Sequence, residues 1–235
     1  TLIALRGKDP VEIHLNHIPD YSLYWLISVY EHFLYTGDKQ LVAQLYPKML
    51  TLMEFCLDRN YKNSFFKGSN GDNMFLDWAS MDKSGVLSAY QLLFAKSMEA
   101  LSACAEVIKD TQTAEKYKAM AADLKQRTLQ VFWNDSLHAL VHNIKNKQQV
   151  KDVTRYSNMF GILFNYLNED QKEAVKKYVL TNDSVQNRFT SDMRVDEGAA
   201  LCELGEQKYV TNEILNYWGG MLDSVATTFW EVYNP

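Results

Sequence analysis

The sequence predicts an all-α fold: an incomplete α/α ring, or toroid, of about four helical hairpins, with its long loops gathered on one rim. Three observations lead there. Apolar residues recur at helical spacing, as in Leu23, Leu26, Ile27, Tyr30, Phe33 and Leu34, and only 4 Pro and 10 Gly punctuate 235 residues. Short polar turns alternate with long polar loops. Charge alternates in step, because one helix of a pair is almost bare of it while the next carries a charged stripe.

The first hairpin pairs about 20–35 with 39–59 across Thr36-Gly37-Asp38. Asp20 and Glu31 are the only Asp, Glu, Lys or Arg residues of its first helix, against Lys39, Lys48, Glu54, Asp58 and Arg59 on the second. In the second hairpin, 84–109 with 112–132 around Asp110 to Thr113, a run of Ala, Leu, Ser and Met faces Glu115, Lys116, Lys118, Asp123, Lys125 and Arg127. The third pairs 154–166, whose one charge is Arg155, with 169–180 across Leu167 to Asp170. The fourth, 194–204 with 207–217 around Gly205-Glu206, blurs the contrast, since Arg194, Asp196, Glu197 and Glu203 sit on its first helix. Long loops are expected at roughly 60–83, 134–152, 181–193 and from 218 on.

Apolar helices belong inside and striped helices outside, which describes a double ring or a solenoid segment. The units differ in length and share no repeated motif, so the ring is favoured. A closed circle of six hairpins is longer than this chain. Residues 1–235 therefore read as one partial domain, and residues 1–19, with His14, His17 and Pro19, as a connection arriving from a preceding part.

Composition narrows the function. Net charge is -5, with Lys and Arg interspersed among acids, so no surface is set to neutralise a phosphate backbone and nucleic acid is not an expected partner. No apolar run approaches the roughly 20 residues of a membrane span, and the opening Thr1 to Leu5 is too short for a signal sequence. Cys56, Cys104 and Cys202 lie in apolar helical stretches without metal-site spacing and read as small buried side chains. Fourteen Tyr and five Trp supply flat rings with polar tips, which suit carbohydrate surfaces as well as a core.

Three clusters of acids and aromatics fall where one rim would gather them: Ile18 to Ser22 around Asp20, Phe75-Leu76-Asp77-Trp78, and Trp230-Glu231. Carboxylates and aromatic faces around one mouth are what glycoside hydrolysis requires. Each has a plainer role open to it. Asp20 suits a helix first turn, Asp77 a loop-ordering role, and Glu231 a solvated surface; Trp25, Trp78, Trp218 and Trp230 suit packing. Other constellations are weaker. His138 and His142 lack the Glu of a zinc helix, Asp72-Asn73 offers oxygens without calcium-loop spacing, and Gly68 to Gly71 is a turn. No metal site, phosphate loop or cofactor is expected.

The terminal WGGMLDSVATTFWE resembles the segment of bacterial α-L-rhamnosidases in which Trp and small residues lead into a Thr-Thr run ending in Trp-Glu. IPDYSLYW, the YTGD turn and the Asp-Trp of the following loop recur in that family in the same order. The resemblance implies a six-hairpin glycosidase barrel, of which this chain supplies about the last two thirds, and inverting hydrolysis of terminal L-rhamnose from a rhamnose-containing glycan or glycoside. It implies Glu231 as the general base, and Asp20, Trp25, Asp77, Trp78 and Trp230 as the lining of the sugar site. The general acid of the family lies upstream and has no counterpart in residues 1–19, so a chain of these residues alone is expected to be nearly inactive. Family resemblance alone points to a periplasmic or secreted protein. The match departs at Ser191 to Gly198, SDMRVDEG, where Arg194 and Glu197 are placed to reshape the subsite. A glycan-binding toroid without catalysis, a six-hairpin enzyme for another sugar, and a purely structural helical array stay open.

Overall fold

In the computed structural model of the chain, residues 2–6, 9–13, 17–62, 65–185 and 190–233 are described. Their helices form four successive pairs. Helix α1 (Pro19–Thr36) precedes α2 (Lys39–Asn60), α3 (Ser88–Val107) precedes α4 (Thr111–Phe132), and α5 (Arg155–Leu163) precedes α6 (Glu169–Val175), which continues into a π-helical turn at Lys176–Leu180. The last pair is α7 (Ser191–Glu203) and α8 (Gln207–Asp223). The four anticipated hairpins are all present.

The short turns have ordinary chemical causes. Gly37 takes φ +68° after α1, and Asp38 then caps α2 by accepting from Leu41 N–H at 2.9 Å. Asp110 caps α4 through Thr113 N–H, and Asn168 with Gln171 forms a reciprocal capping box on α6. At the other end the inner helices begin at Ile18, Leu87, Thr154 and Thr190, without side-chain caps.

Charge alternation translates directly into layers. Helix α1 packs on α3, α3 on α5, and α5 on α7, forming the inner arc. Helix α3 is buried almost all round, whereas α4 buries one stripe, Ala114, Tyr117, Ala121, Leu124, Thr128 and Phe132. Between pairs the chain makes small antiparallel ladders. These are β1 (Leu2–Arg6) with β2 (Asp9–Ile13), β3 (Tyr61–Lys62) with β4 (Phe65–Phe66), and β6 (Trp133–Asn134) with β7 (Ala139–Leu140). A three-stranded sheet places β8 (Asn143–Lys145) between β5 (Val86–Leu87) and β9 (Gln148–Gln149). The segment expected to be a plain connection, residues 1–19, thus contains a β-hairpin.

Two further expectations are corrected. The loop anticipated from 218 on is helical to Asp223, so Trp218, Gly219 and Gly220 are the end of α8. Burial of Tyr217 and Met221, one turn apart, favours helix over the glycine penalty, and Tyr233 packs on the bare Gly220, where an added Cβ would lie 2.7 Å from its hydroxyl. Glu197 does not shape a subsite. It is fully buried and pairs with Arg155 at 2.9 Å.

Arg155 also donates to the carbonyls of Leu180 at 2.5 Å, Asn182 at 2.9 Å and Val185 at 3.5 Å, clamping α5, the π turn and α7 together. Arg194, likewise expected at the subsite, pairs with Glu213 at 3.1 Å and lies 3.8 Å from the ring centre of Tyr217. It borders an apolar groove of about 520 Å³ between α7 and α8, lined by Val195, Ile214, Trp218 and Phe229 among others. The last pair of the arc therefore presents an open apolar side. Burial raises the Cys56 thiol to about 12 and that of Cys104 to about 11, while Cys202 is half-buried beside the groove.

Removing one partner of the Arg155–Glu197 pair strands a buried charge. Arg155→Met is expected to lower stability by about 3–5 kcal/mol in equilibrium urea unfolding. Adding Glu197→Gln to it should recover part of that loss; no recovery would refute the clamp.

Candidate active site

Asp77 is the node of the rim. Its side chain is fully buried and accepts from Tyr156 Oη, in the first turn of α5, at 2.5 Å. It also accepts from Trp78 N–H at 2.7 Å and from Thr190 N–H, the residue before α7, at 3.2 Å. One carboxylate thus joins the 67–83 loop to the starts of two inner helices. From Thr190 the linkage continues, because Thr190 forms an antiparallel bridge with Val232 and Ser191 N–H reaches Glu231 O at 3.4 Å. Glu231, exposed, then accepts from Trp78 Nε1 at 2.8 Å. The circuit closes on the residue next to Asp77.

Beside that pair lies a cavity of about 380 Å³, lined by Asp20, Tyr21, Tyr24, Phe75, Leu76, Asp192, Met193, Val195 and Asp196. Asp20 is only 2% exposed; Oδ2 accepts from Leu76 N–H at 2.9 Å, and the Tyr90 hydroxyl and the Tyr21 backbone also interact with the carboxyl. Burial raises its pKa, opposed by the Leu76 N–H. Tyr21, 55% exposed, stacks on Phe75 at 6.3 Å, and Phe75 meets Trp78 edge to face at 4.9 Å. The Tyr21 hydroxyl pKa is raised by burial and then by the charges of Asp192, Asp20, Glu231 and Asp77, so one ring senses four carboxylates. Lys83 donates to the Asp77 carbonyl at 3.0 Å and lies 5.1 Å over Phe75.

Asp20, Asp77, Trp78 and Glu231 are therefore brought together from three distant segments. Trp25 is half-buried against the core and does not line the cavity. Trp230 sits beside Glu231 and turns toward Tyr233, 5.8 Å between ring centres. The weaker constellations are occupied otherwise. Asp72 accepts from Arg59, Asn60 and Ser69 N–H and contacts His17 at 3.1 Å, which ties the 67–73 turn to α2. His142 donates to the Asp82 carbonyl at 3.0 Å and contacts Thr154 at 3.1 Å; His138 stacks on Tyr178. His14 lies outside the described residues.

Residues 10–235 match the family described as the bacterial alpha-L-rhamnosidase 6 hairpin glycosidase domain. The chain belongs to this family. Among solved structures, a GH78 family rhamnosidase of Bacillus sp. GL1 superposes with a TM-score of 0.82 at 22% identity, over 92% of this chain and 23% of that one. A rhamnosidase from Klebsiella oxytoca with rhamnose bound gives 0.76 at 22% identity, over 99% of this chain and 44% of that one. A sialidase gives 0.58 at 16% identity, over 68% of this chain and 15% of that one. This chain thus spans less than half of either rhamnosidase. No curated protein matches it significantly.

Within the rhamnosidase-family rim, sequence reasoning missed Tyr24, Tyr156, Thr190, Asp192 and Asp196. A signal existed for the last two, since residues four apart on a helix share a face. Asp196 accepts from Tyr24 Oη at 3.3 Å, and burial, with the neighbouring charges of Asp192 and Glu31, raises its carboxyl to about 6.

Two outcomes are expected. Asp77→Ala leaves Tyr156 and the Thr190 N–H without their acceptor, and should cost about 2–4 kcal/mol by urea unfolding, whereas Trp78→Phe, at an exposed ring, should cost less than about 0.5 kcal/mol. Because the folded-state pKa of Asp196 is raised, its proton is held more tightly in the native state, and stability falls as pH rises from the unfolded value through about 6. Asp196→Asn should therefore be more stable than wild type by about 1–2 kcal/mol near neutral pH, with the difference vanishing near pH 4 in thermal melts.

Proposed function

We propose that this domain performs inverting hydrolysis of terminal α-L-rhamnose from glycans or glycosides, with Glu231 as the general base that deprotonates the attacking water. The observation that carries this reading is the Trp78 Nε1 to Glu231 bond of 2.8 Å, which sets an exposed carboxylate against the aromatic wall of the acid-lined cavity. The family membership and the rhamnose bound in the Klebsiella oxytoca relative supply the substrate class. Inversion needs a second carboxyl group about 6.5–9.5 Å away, leaving room for water. By the family resemblance that acid lies N-terminal to Thr1, so residues 1–235 alone should turn over far more slowly than the longer protein. Asp20, Asp77, Trp78 and Trp230 line or order the sugar site in this reading, and Trp25 supports α1 behind it. The family resemblance is the one support for a periplasmic or secreted location in this reading.

The test is hydrolysis of an aryl α-L-rhamnoside by the longer protein, with the anomer of the released rhamnose read by NMR. Glu231→Gln should lower kcat by about 10²- to 10⁴-fold with the fold intact. Comparable rates, or retention of configuration, would sink the assignment.

A further inference from the structure

A base has to be held in place, and the backbone of Glu231 already is. Thr190 bridges Val232, Ser191 N–H reaches the Glu231 carbonyl at 3.4 Å, and Ser191 Oγ reaches the Trp230 carbonyl at 3.4 Å. The side chain is another matter, because it is exposed, and a free glutamate at such a place spreads over several rotamers. Among the described residues one donor meets its carboxylate: Trp78 Nε1, 2.8 Å from Oε1.

Trp78 is itself fixed at two points. Its backbone N–H donates to the buried Asp77 at 2.7 Å, and Phe75 meets its ring edge to face at 4.9 Å. Asp77 in turn accepts from Tyr156 and from Thr190 N–H, so the indole extends a rigid interior to a carboxylate at the surface. The ring stays 57% exposed, and packing alone does not account for a tryptophan there.

The kind of donor matters as much as its position. An indole N–H donates only and carries no charge. A lysine or arginine in its place would stabilise the ionised carboxylate strongly and so weaken it as a base. The indole orients the group and leaves most of its basicity. It engages Oε1, and Oε2 keeps its capacity to accept.

We propose that Trp78 is the positioning residue of the base: its N–H pins Oε1 of Glu231 so that Oε2 takes the proton of the attacking water. As that proton moves to Oε2, the water oxygen bonds to the anomeric carbon, the glycosidic C–O bond breaks, and the leaving oxygen takes its proton from the second carboxyl group. The proposal rests on Glu231 being the base, and it gives Trp78 a role distinct from stacking on a sugar.

Kinetics of the longer protein on an aryl α-L-rhamnoside test it. Trp78→Phe keeps an aromatic ring beside Phe75 and removes the N–H; kcat should fall about 10- to 100-fold, with KM within about threefold of wild type. Trp78→His lays an imidazole over the pyrrole half of the indole, with Nε2 in the place of Nε1. At about pH 8, where that ring is neutral, it should turn over at least about threefold faster than Trp78→Phe. A second readout needs no turnover: in ¹⁵N–¹H spectra of the protein, the indole resonance that Trp78→Phe removes should shift in Glu231→Gln. An unmoved resonance, an unchanged kcat in Trp78→Phe, a rise in KM alone, or equal kcat in the Phe and His variants would each overturn the proposal. These outcomes leave the base assignment standing as long as Glu231→Gln slows turnover. A Glu231→Gln enzyme as fast as wild type would overturn that assignment, and this proposal with it.

Discussion

The rim depends on the burial of one charge. Asp77 sits without solvent contact and has donors from Tyr156, Trp78 and Thr190, each from a different stretch of chain. A buried carboxylate is tolerable only when donors replace its lost water. That requirement makes the three segments conditional on one another. Thr190 in turn holds the Val232 bridge, so the position of Glu231 follows from a residue with which Asp77 shares a hydrogen bond. The exposed end of the chain is thereby located by a constraint in the interior.

The same rim concentrates negative charge, and the fold offsets it with backbone. All four inner helices begin there without side-chain caps, leaving first-turn N–H groups and the positive ends of helix dipoles near the acids. The opposite end behaves differently, because Asp38, Asp110 and Asn168 cap α2, α4 and α6 themselves. Capped helix starts thus lie at one end of the arc and open N-termini at the other. The offset is incomplete at Asp196, whose raised pKa records burial and like charge that the Tyr24 hydroxyl opposes only in part.

Most of this architecture was legible because charge and turn chemistry are local. Arg127 or Lys118 on a periodic apolar background has to face water, and Gly37-Asp38 ends one helix and begins the next whatever surrounds it. What failed was everything decided by a distant partner. Glu197 reads as a subsite acid until Arg155, 42 residues earlier, is folded against it. Gly219-Gly220 reads as a loop until Tyr233 requires the missing side chain. Of the site, the acid and tryptophan clusters could be collected on one rim from helix order alone, but the choice among them could not. Trp25 and Trp78 have equal standing in the sequence, and tertiary packing turns one toward the core and the other toward Glu231.

Hydrogen-bond saturation supplies the distinction that residue type lacks. Asp72 and Asp77 are each surrounded by protein donors, and Glu197 is clamped to an arginine; these acids hold loops and helices in place. Asp196 accepts one long bond from Tyr24, and Glu231 is exposed with a bond from an indole. A carboxylate that must take a proton from water, or accept from a sugar hydroxyl, needs that spare capacity, since a saturated one would have to break native bonds to act. By this criterion Asp77 belongs to the support of the rim, whereas Glu231 keeps the spare capacity that the proposed base requires, although the two are linked through a single tryptophan.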